Sequence, residues 1–170
     1  MKTATKIIFD FIRTQHPLSR GIEKEETPLL VGLLRKRLSL SEIELDFSPI
    51  SLQRLEDKLS DSADTLKAKL IKEEEIIQII REIAAYVGEV LVLNTNGKWQ
   101  NLGDLWSTKV IFEGNIKITK AGNERTAQSI AFSLGNIGAG AWDMISLGRK
   151  PILYCDYLSA KKKTIIENFE

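Results

Sequence analysis

The segment that begins at Glu73 constrains the fold most, because it carries the longest regular apolar pattern in the chain. Its large apolar residues recur every three or four positions, at Ile76, Ile80, Ile83, Val87 and Leu91. This spacing places side chains on one face of an α-helix. Glutamates at the start of the segment suit the positive end of a helix dipole. We therefore expect a long helix with one face in the core.

The period changes after the sequence "NTNG" at residues 94–97. Short apolar runs broken by glycine and asparagine follow, at Trp99, at residues 110–112 and at residues 116–118. Such runs are typical of β-strands, and "EGN" at residues 113–115 predicts a turn between two of them. The sequence thus predicts an α+β fold with a largely helical N-terminal half, a small antiparallel sheet and C-terminal helices. A chain of 170 residues is long enough for one domain with a sizeable core, so we expect a single domain over residues 1–170.

Further helices are expected before residue 73. Thr27-Pro28 and Ser48-Pro49 each combine a capping residue with a proline. Proline has no amide hydrogen, and the first turn of a helix does not require one. Together with apolar stripes, these signals predict helices at about residues 3–15, 27–39, 48–59 and 63–70.

The last third of the chain gives weaker signals. Residues 126–134 fit a helix or a buried strand, residues 141–147 fit a helix, and residues 151–158 have no decisive period. Gly135, Gly138 and Gly140 have the order G-x-x-G-x-G, whereas a dinucleotide fingerprint needs G-x-G-x-x-G after a strand. These glycines therefore indicate a flexible helix-to-helix connection or tight packing rather than a phosphate-binding loop.

Composition excludes several classes of function. The chain has 24 basic and 23 acidic residues, so no overall field draws it to nucleic acid or to an anionic membrane. One cysteine, Cys155, and one histidine, His16, rule out an internal disulfide and most zinc sites. We expect no cofactor and no metal, with Cys155 a small buried hydrophobe and His16 at the surface.

The apolar and basic runs of the sequence indicate the location of the protein and its non-protein partners. No apolar run approaches about eighteen residues, and the N-terminus is a poor signal peptide. We therefore expect a cytoplasmic protein with no membrane partner. The lysines of "AKKKT" at residues 160–164 form only a short basic run, so nucleic acid is an unfavoured partner. The sequence does not indicate which oligomeric state the protein adopts.

Glu89 is unusual because a carboxylate there lies among apolar and small residues. It can be structural, exposed, or part of a binding or catalytic site, and we favour a structural role. The "NTNG" turn should bring the next strand back beside the helix, so that the Trp99 indole donates to the Glu89 carboxylate. Gly88 indicates that another backbone packs closely there.

Two stretches together resemble a loosely defined group of small bacterial proteins of unknown function. The first is "LDFSPISLQRLEDKL" at residues 45–59, with Asp46, Ser51 and Leu52. The second is "AAYVGEVLVLNTNGKWQ" at residues 84–100, which includes Tyr86, Gly88, Glu89, Gly97 and Trp99. The resemblance covers about a third of the chain. It implies a bacterial, cytoplasmic α+β protein whose relatives include suspected toxin-neutralising or partner-binding modules, and it carries over no catalytic residues.

Two functions remain open. The favoured hypothesis is a non-enzymatic, immunity-like module that binds another protein, because no convincing nucleophile, metal cluster or phosphate loop is present. Its candidate binding residues are Tyr86, Glu89, Trp99, Trp106 and Trp142, of which the tryptophans could supply an exposed aromatic anchor. The alternative is a small-molecule hydrolase that uses Glu89 and Asp143 as acid and base.

Overall fold

The computed structural model describes residues 17–69, 72–120 and 123–165, without the side chains of residues 115–125 and 160–165. Within these residues the predicted α+β class is confirmed, since four α-helices precede a three-stranded antiparallel sheet and two follow it. The helices are α1 (Thr27–Leu38), α2 (Ser51–Asp61), α3 (Ala63–Lys69), α4 (Glu73–Asn94), α5 (Leu134–Ser146) and α6 (Leu153–Ile165). The strands are β1 (Lys98–Gln100), β2 (Lys109–Lys120) and β3 (Asn123–Ser133). The helix predicted at residues 3–15 and His16 lie outside the described residues.

The long periodic segment forms α4, the central helix of the structure. Helices α1 and α5 and the sheet all pack against it, and most of its residues are buried. Its apolar stripe therefore faces a continuous core that extends from Ile22 to Tyr157. Arg81, on the same helix, is 2% exposed and binds the Glu26 carboxylate and the backbone carbonyls of Leu18 and Arg20. This arginine fastens the segment before α1 to α4.

The glycine motif lies inside α5 and packs tightly against its neighbours. A Cβ added at Gly138 would overlap the backbone carbonyl oxygen of Ile80 on α4. A Cβ at Gly135 would come within 2.5 Å of the Leu105 carbonyl oxygen. The packing interpretation of these two glycines is confirmed, whereas the predicted helix-to-helix connection is wrong because the motif is helical throughout.

The starts of α1 and α2 are near their predicted positions but are built differently. Thr27 is the first residue of α1 rather than its cap, because a 3-10 turn at Lys24–Glu26 leads directly into the helix. Helix α2 begins at Ser51, and the Ser48 hydroxyl donates to Asp46 at 2.6 Å instead of capping a first-turn amide. The Ser48 carbonyl accepts from the Ser51 amide at 3.0 Å.

The sheet has the order β1-β2-β3, and Trp99 on β1 lies opposite Val110 on β2. The predicted turn at residues 113–115 is wrong, since β2 continues through it with an irregular register between Glu113 and Ile116. Gly114 has φ 139° there, a conformation that suits glycine in a bulge as well as in a turn. The ambiguous residues 126–134 belong to β3 as far as Ser133.

Helix α6 overturns the prediction made for Cys155. Leu153 and Tyr157 are buried one turn apart, while Cys155 lies between them on the exposed side of the helix. The expectation of a buried Cys155 is therefore wrong.

Among the described residues, no helix is both long enough and apolar enough to span a membrane.

Candidate functional site

Glu89 joins α4 to the first strand, as the sequence predicts. It is half-buried, and its Oε1 accepts a hydrogen bond from Trp99 Nε1 at 3.0 Å. Thr27 Oγ1 lies 3.3 Å from the same oxygen but only 2.8 Å from the Lys24 carbonyl oxygen, which competes for its single proton. The indole is therefore the principal donor to Glu89.

Gly88 explains how the indole reaches this carboxylate. A Cβ at Gly88 would lie 2.5 Å from Trp99 Cζ2 and 2.8 Å from Leu134 Cδ1. The expected close approach at Gly88 is present, but a tryptophan ring makes it rather than another backbone. The missing side chain lets the ring approach α4 closely enough for Nε1 to reach Glu89, the next residue.

Tyr86 is buried and secures the loop between α1 and α2. Its hydroxyl is hydrogen bonded to Ser51 Oγ and accepts from the Phe47 amide at 3.2 Å. Its ring stacks on Phe47 with centroids 5.2 Å apart, and burial raises the pKa of the phenol. Phe47 itself has φ 61°, so these contacts hold a residue in an uncommon conformation. Tyr86 presents no surface to a partner in this structure.

The tryptophans do not form one exposed anchor. Trp142 is 1% exposed, so the expectation that it is available to a partner is wrong. Trp99 and Trp106 are half-buried, and Trp99 is already bonded to Glu89. Within the described part of the chain, the indole nitrogens of Trp106 and Trp142 are buried without a hydrogen-bond partner.

Asp143 and Glu89 are not brought into a common cleft with each other. Asp143 lines a groove between α5 and α6, and Glu89 is not among the residues of that groove. An acid and a base must both reach the reacting bond. The arrangement therefore offers no support for the hydrolase alternative. In the described ranges, no group of three or more histidine, cysteine or acidic side chains could hold a metal ion.

The α5–α6 groove is an apolar concave surface with exposed edges. Its cavity volume is about 440 Å³, within the size range of ligand-binding clefts. Leu147 and Ile152 on its rim are 66% and 54% exposed. Gly140 leaves open space on the groove wall, because no atom outside its own turns of backbone lies within 4 Å of the position a Cβ would take.

Asp156 gives this groove its chemical character. The side chain is half-buried among apolar neighbours, and burial raises the pKa of its carboxyl group. No salt bridge or hydrogen bond joins that carboxylate to any side chain that the structure describes. An ionised carboxylate in such a place is poorly solvated, so a cation brought by a ligand would stabilise it.

The sequence signals missed this groove because its apolar rim lies around a helix end. Helix α5 ends at Ser146, Gly148 follows it with φ 69°, and the Arg149 amide donates to the Met144 carbonyl at 2.8 Å. This is the Schellman arrangement that glycine favours after a helix. Gly148 followed by Pro151 could have located the helix end, but no local pattern shows that Leu147 and Ile152 stay exposed.

Comparison with known proteins adds no relative: no protein-family model, no curated protein and no solved structure matches this chain.

Proposed function

We propose that this chain is a non-enzymatic protein-binding module whose α5–α6 groove receives an amphipathic helix of a partner protein. The partner helix would place apolar side chains against the exposed rim and a lysine or arginine beside Asp156. Helix-in-groove recognition uses this combination of apolar anchors and a charge that sets the register.

One observation carries the proposal: the groove combines exposed apolar edges with a half-buried carboxylate that lacks a described cation. Water is a poor environment for Leu147 and Ile152, and the apolar groove is a poor environment for ionised Asp156. A basic amphipathic segment relieves both costs at once. A purely apolar ligand would relieve only the first.

The resemblance to small bacterial proteins of unknown function, whose relatives include suspected toxin-neutralising modules, is the reason for proposing an immunity-like version of this role. In that version the partner is a toxin whose activity is blocked by the complex. The single cysteine and the same resemblance are the reasons for proposing a bacterial cytoplasmic setting.

Site-specific photo-cross-linking in the source cells tests the proposal. A photoreactive residue replaces Leu147 or Ile152 in the groove, and matched controls carry it at Leu29 or Ile43, which are 67% and 82% exposed. We expect one defined partner to be cross-linked from both groove positions and from neither control. Asp156→Lys should abolish that product because it places a cation against the partner's cation.

Three outcomes would count against the proposal. Equal labelling from Leu29 and Leu147 would indicate non-specific contact. A product that joins the groove to another part of the same chain would assign the groove an internal role. Undiminished labelling in Asp156→Lys would show that the charge of Asp156 has no part in recognition of the partner.

A further inference from the structure

A second cleft, separate from the α5–α6 groove, concentrates positive charge. It lies between the end of α1 and the junction of α2 with α3, and its volume is about 600 Å³. Lys36, Arg37, Lys58 and Lys69 line it together with one carboxylate, Asp61. Four cations against one anion leave an excess of three positive charges. The whole chain has a net charge of only +1, so this excess is a local property of the cleft.

Arg37 is held rigidly at this cleft. Its Nε donates to Glu82 Oε2 at 2.8 Å, and its Nη2 donates to Glu82 Oε1 at 2.9 Å. Glu82 is fully buried, and Gln78 Nε2 lies 3.3 Å from its Oε1. The hydrogen bonds to Glu82 raise the pKa of the guanidinium. A two-point bond of this kind fixes the plane and orientation of an arginine before any ligand arrives.

The pairing with Glu82 leaves part of Arg37 unused. Its Nη1 forms no hydrogen bond with any residue in the described ranges, and the side chain is 27% exposed. Glu82 and the nearby Glu75 offset part of the positive charge around Arg37. The guanidinium therefore has donors available for an anion at a position set by a buried carboxylate.

The three lysines of the cleft are not held in salt bridges, although Lys58 lies close enough to Glu44 to interact with it electrostatically. Lys36, Lys58 and Lys69 form no salt bridge with a described carboxylate, whereas Lys67 on α3 is paired with Asp64 at 2.7 Å. Lysine side chains are flexible, so their ammonium groups can move to contact an anion beside the fixed guanidinium. They can do so whether the anion carries one charged group or two.

The rest of the lining points to a small organic anion. Ser39, Ser62 and Thr65 supply hydroxyl groups, which can donate to phosphate oxygens. Leu33 also lines the cleft and is 38% exposed, so it offers contact to a carbon skeleton. The end of α1 adds little opposing charge, since the carbonyls of Arg35 and Lys36 already accept backbone amides from Leu40 and Ser39.

We propose that this cleft binds a phosphorylated small molecule, with a phosphate group on Arg37 Nη1 and the three lysines around it. A phosphate dianion complements the cationic side chains of the lining, and its oxygens accept from both cationic and hydroxyl donors. This site is independent of the α5–α6 groove and of the function proposed for that groove.

Titrations of the folded, full-length protein, followed by backbone amide chemical shifts, test this site. The probes are pyrophosphate and glycerol 3-phosphate, with sodium sulfate and a short polyglutamate peptide as comparisons at constant ionic strength. We expect saturable shifts at residues 36–39, 58–62 and 65 with both phosphorylated probes. Lys36→Gln and Lys58→Gln should each weaken binding about tenfold, the scale of one charge-assisted hydrogen bond.

The control variant is Lys24→Gln, which removes an exposed lysine outside this cleft and should leave the affinity unchanged. Because Arg37→Gln would orphan buried Glu82 and could unfold the protein, the lysine variants carry the test. The proposal would be overturned if sulfate bound as tightly as pyrophosphate does, or if polyglutamate bound more tightly. It would also be overturned if both cleft variants kept the parent affinity, or if the cleft were saturated by an adventitious ion only.

Discussion

The hydrogen bond between Trp99 and Glu89 should contribute measurably to the stability of the fold. Glu89→Ala removes the acceptor of Trp99 Nε1, which lies 3.0 Å away in a half-buried position. Leaving such a donor without a partner costs about 1–3 kcal/mol. For a chain of 170 residues, this corresponds to a fall in melting temperature of about 2–12 °C.

The assay is reversible urea unfolding, followed by tryptophan fluorescence and by circular dichroism. Glu89→Gln keeps an oxygen acceptor without its charge, so it should lose about half as much stability as Glu89→Ala. Glu113→Ala is the matched control, because Glu113 pairs with Lys98 at 2.9 Å but both side chains are largely exposed. Such a surface pair contributes only about 0–1 kcal/mol.

A double-mutant cycle isolates the bond from other effects of each substitution. Trp99→Phe removes the donor and keeps an aromatic ring, and it is combined with Glu89→Ala. Two residues in direct contact should show a coupling energy of about 0.5–3 kcal/mol. Additive effects, with coupling below about 0.3 kcal/mol, or an unchanged stability in Glu89→Ala would refute a structural role for this carboxylate.

Two other substitutions test packing and burial. Gly138→Ala should destabilise the protein, because its Cβ would overlap the Ile80 carbonyl, whereas Gly140→Ala should stabilise it by about 0.5–1 kcal/mol, because open space surrounds Gly140; chemical denaturation of both variants measures the contrast. Asp156→Asn should raise stability at neutral pH. Burial raises the pKa of Asp156 in the folded protein, so the folded state is penalised above that pKa and the penalty disappears as the pH falls below the pKa of the unfolded chain. Denaturation curves collected across acidic and neutral pH should therefore converge for Asp156→Asn and the parent chain at low pH, and parallel curves would contradict the assignment.

Local patterns predict the helices and the Glu89 contact because both depend on short stretches of sequence. The regular spacing of isoleucines determines the buried face of α4, and the brief "NTNG" turn leaves β1 few positions other than beside that helix. Once Trp99 lies against Gly88, the nearest acceptor for its indole is the adjacent Glu89. Sequence reasoning therefore reaches a side-chain contact here.

The errors have a shared physical cause, which is that one residue type serves several structures. Gly114 adopts a positive φ in a bulge, although the same freedom is what a turn needs. Gly135 and Gly138 provide room for neighbouring backbone inside a helix rather than flexibility between helices. In each case the choice depends on chain segments that are distant in sequence.

The candidate binding surfaces could not be predicted for a similar reason. Exposure of Leu147 depends on how α5 and α6 meet, and the orientation of Arg37 depends on Glu82, which lies 45 positions further along the chain. Apolar and basic residues of this kind are common in the sequence, so only the tertiary structure distinguishes them.

The central claim is that Glu89 maintains the fold while the α5–α6 groove contacts the partner. The most direct measurement is the yield of the partner cross-link from a photoreactive residue at Leu147, taken with the melting temperature in two backgrounds, Glu89→Ala and Ile152→Asp. We predict that Glu89→Ala lowers the melting temperature and retains the cross-link when measured well below it, whereas Ile152→Asp retains the melting temperature and loses the cross-link. The reverse pattern, with loss of the partner in folded Glu89→Ala and full labelling in Ile152→Asp, would contradict the account.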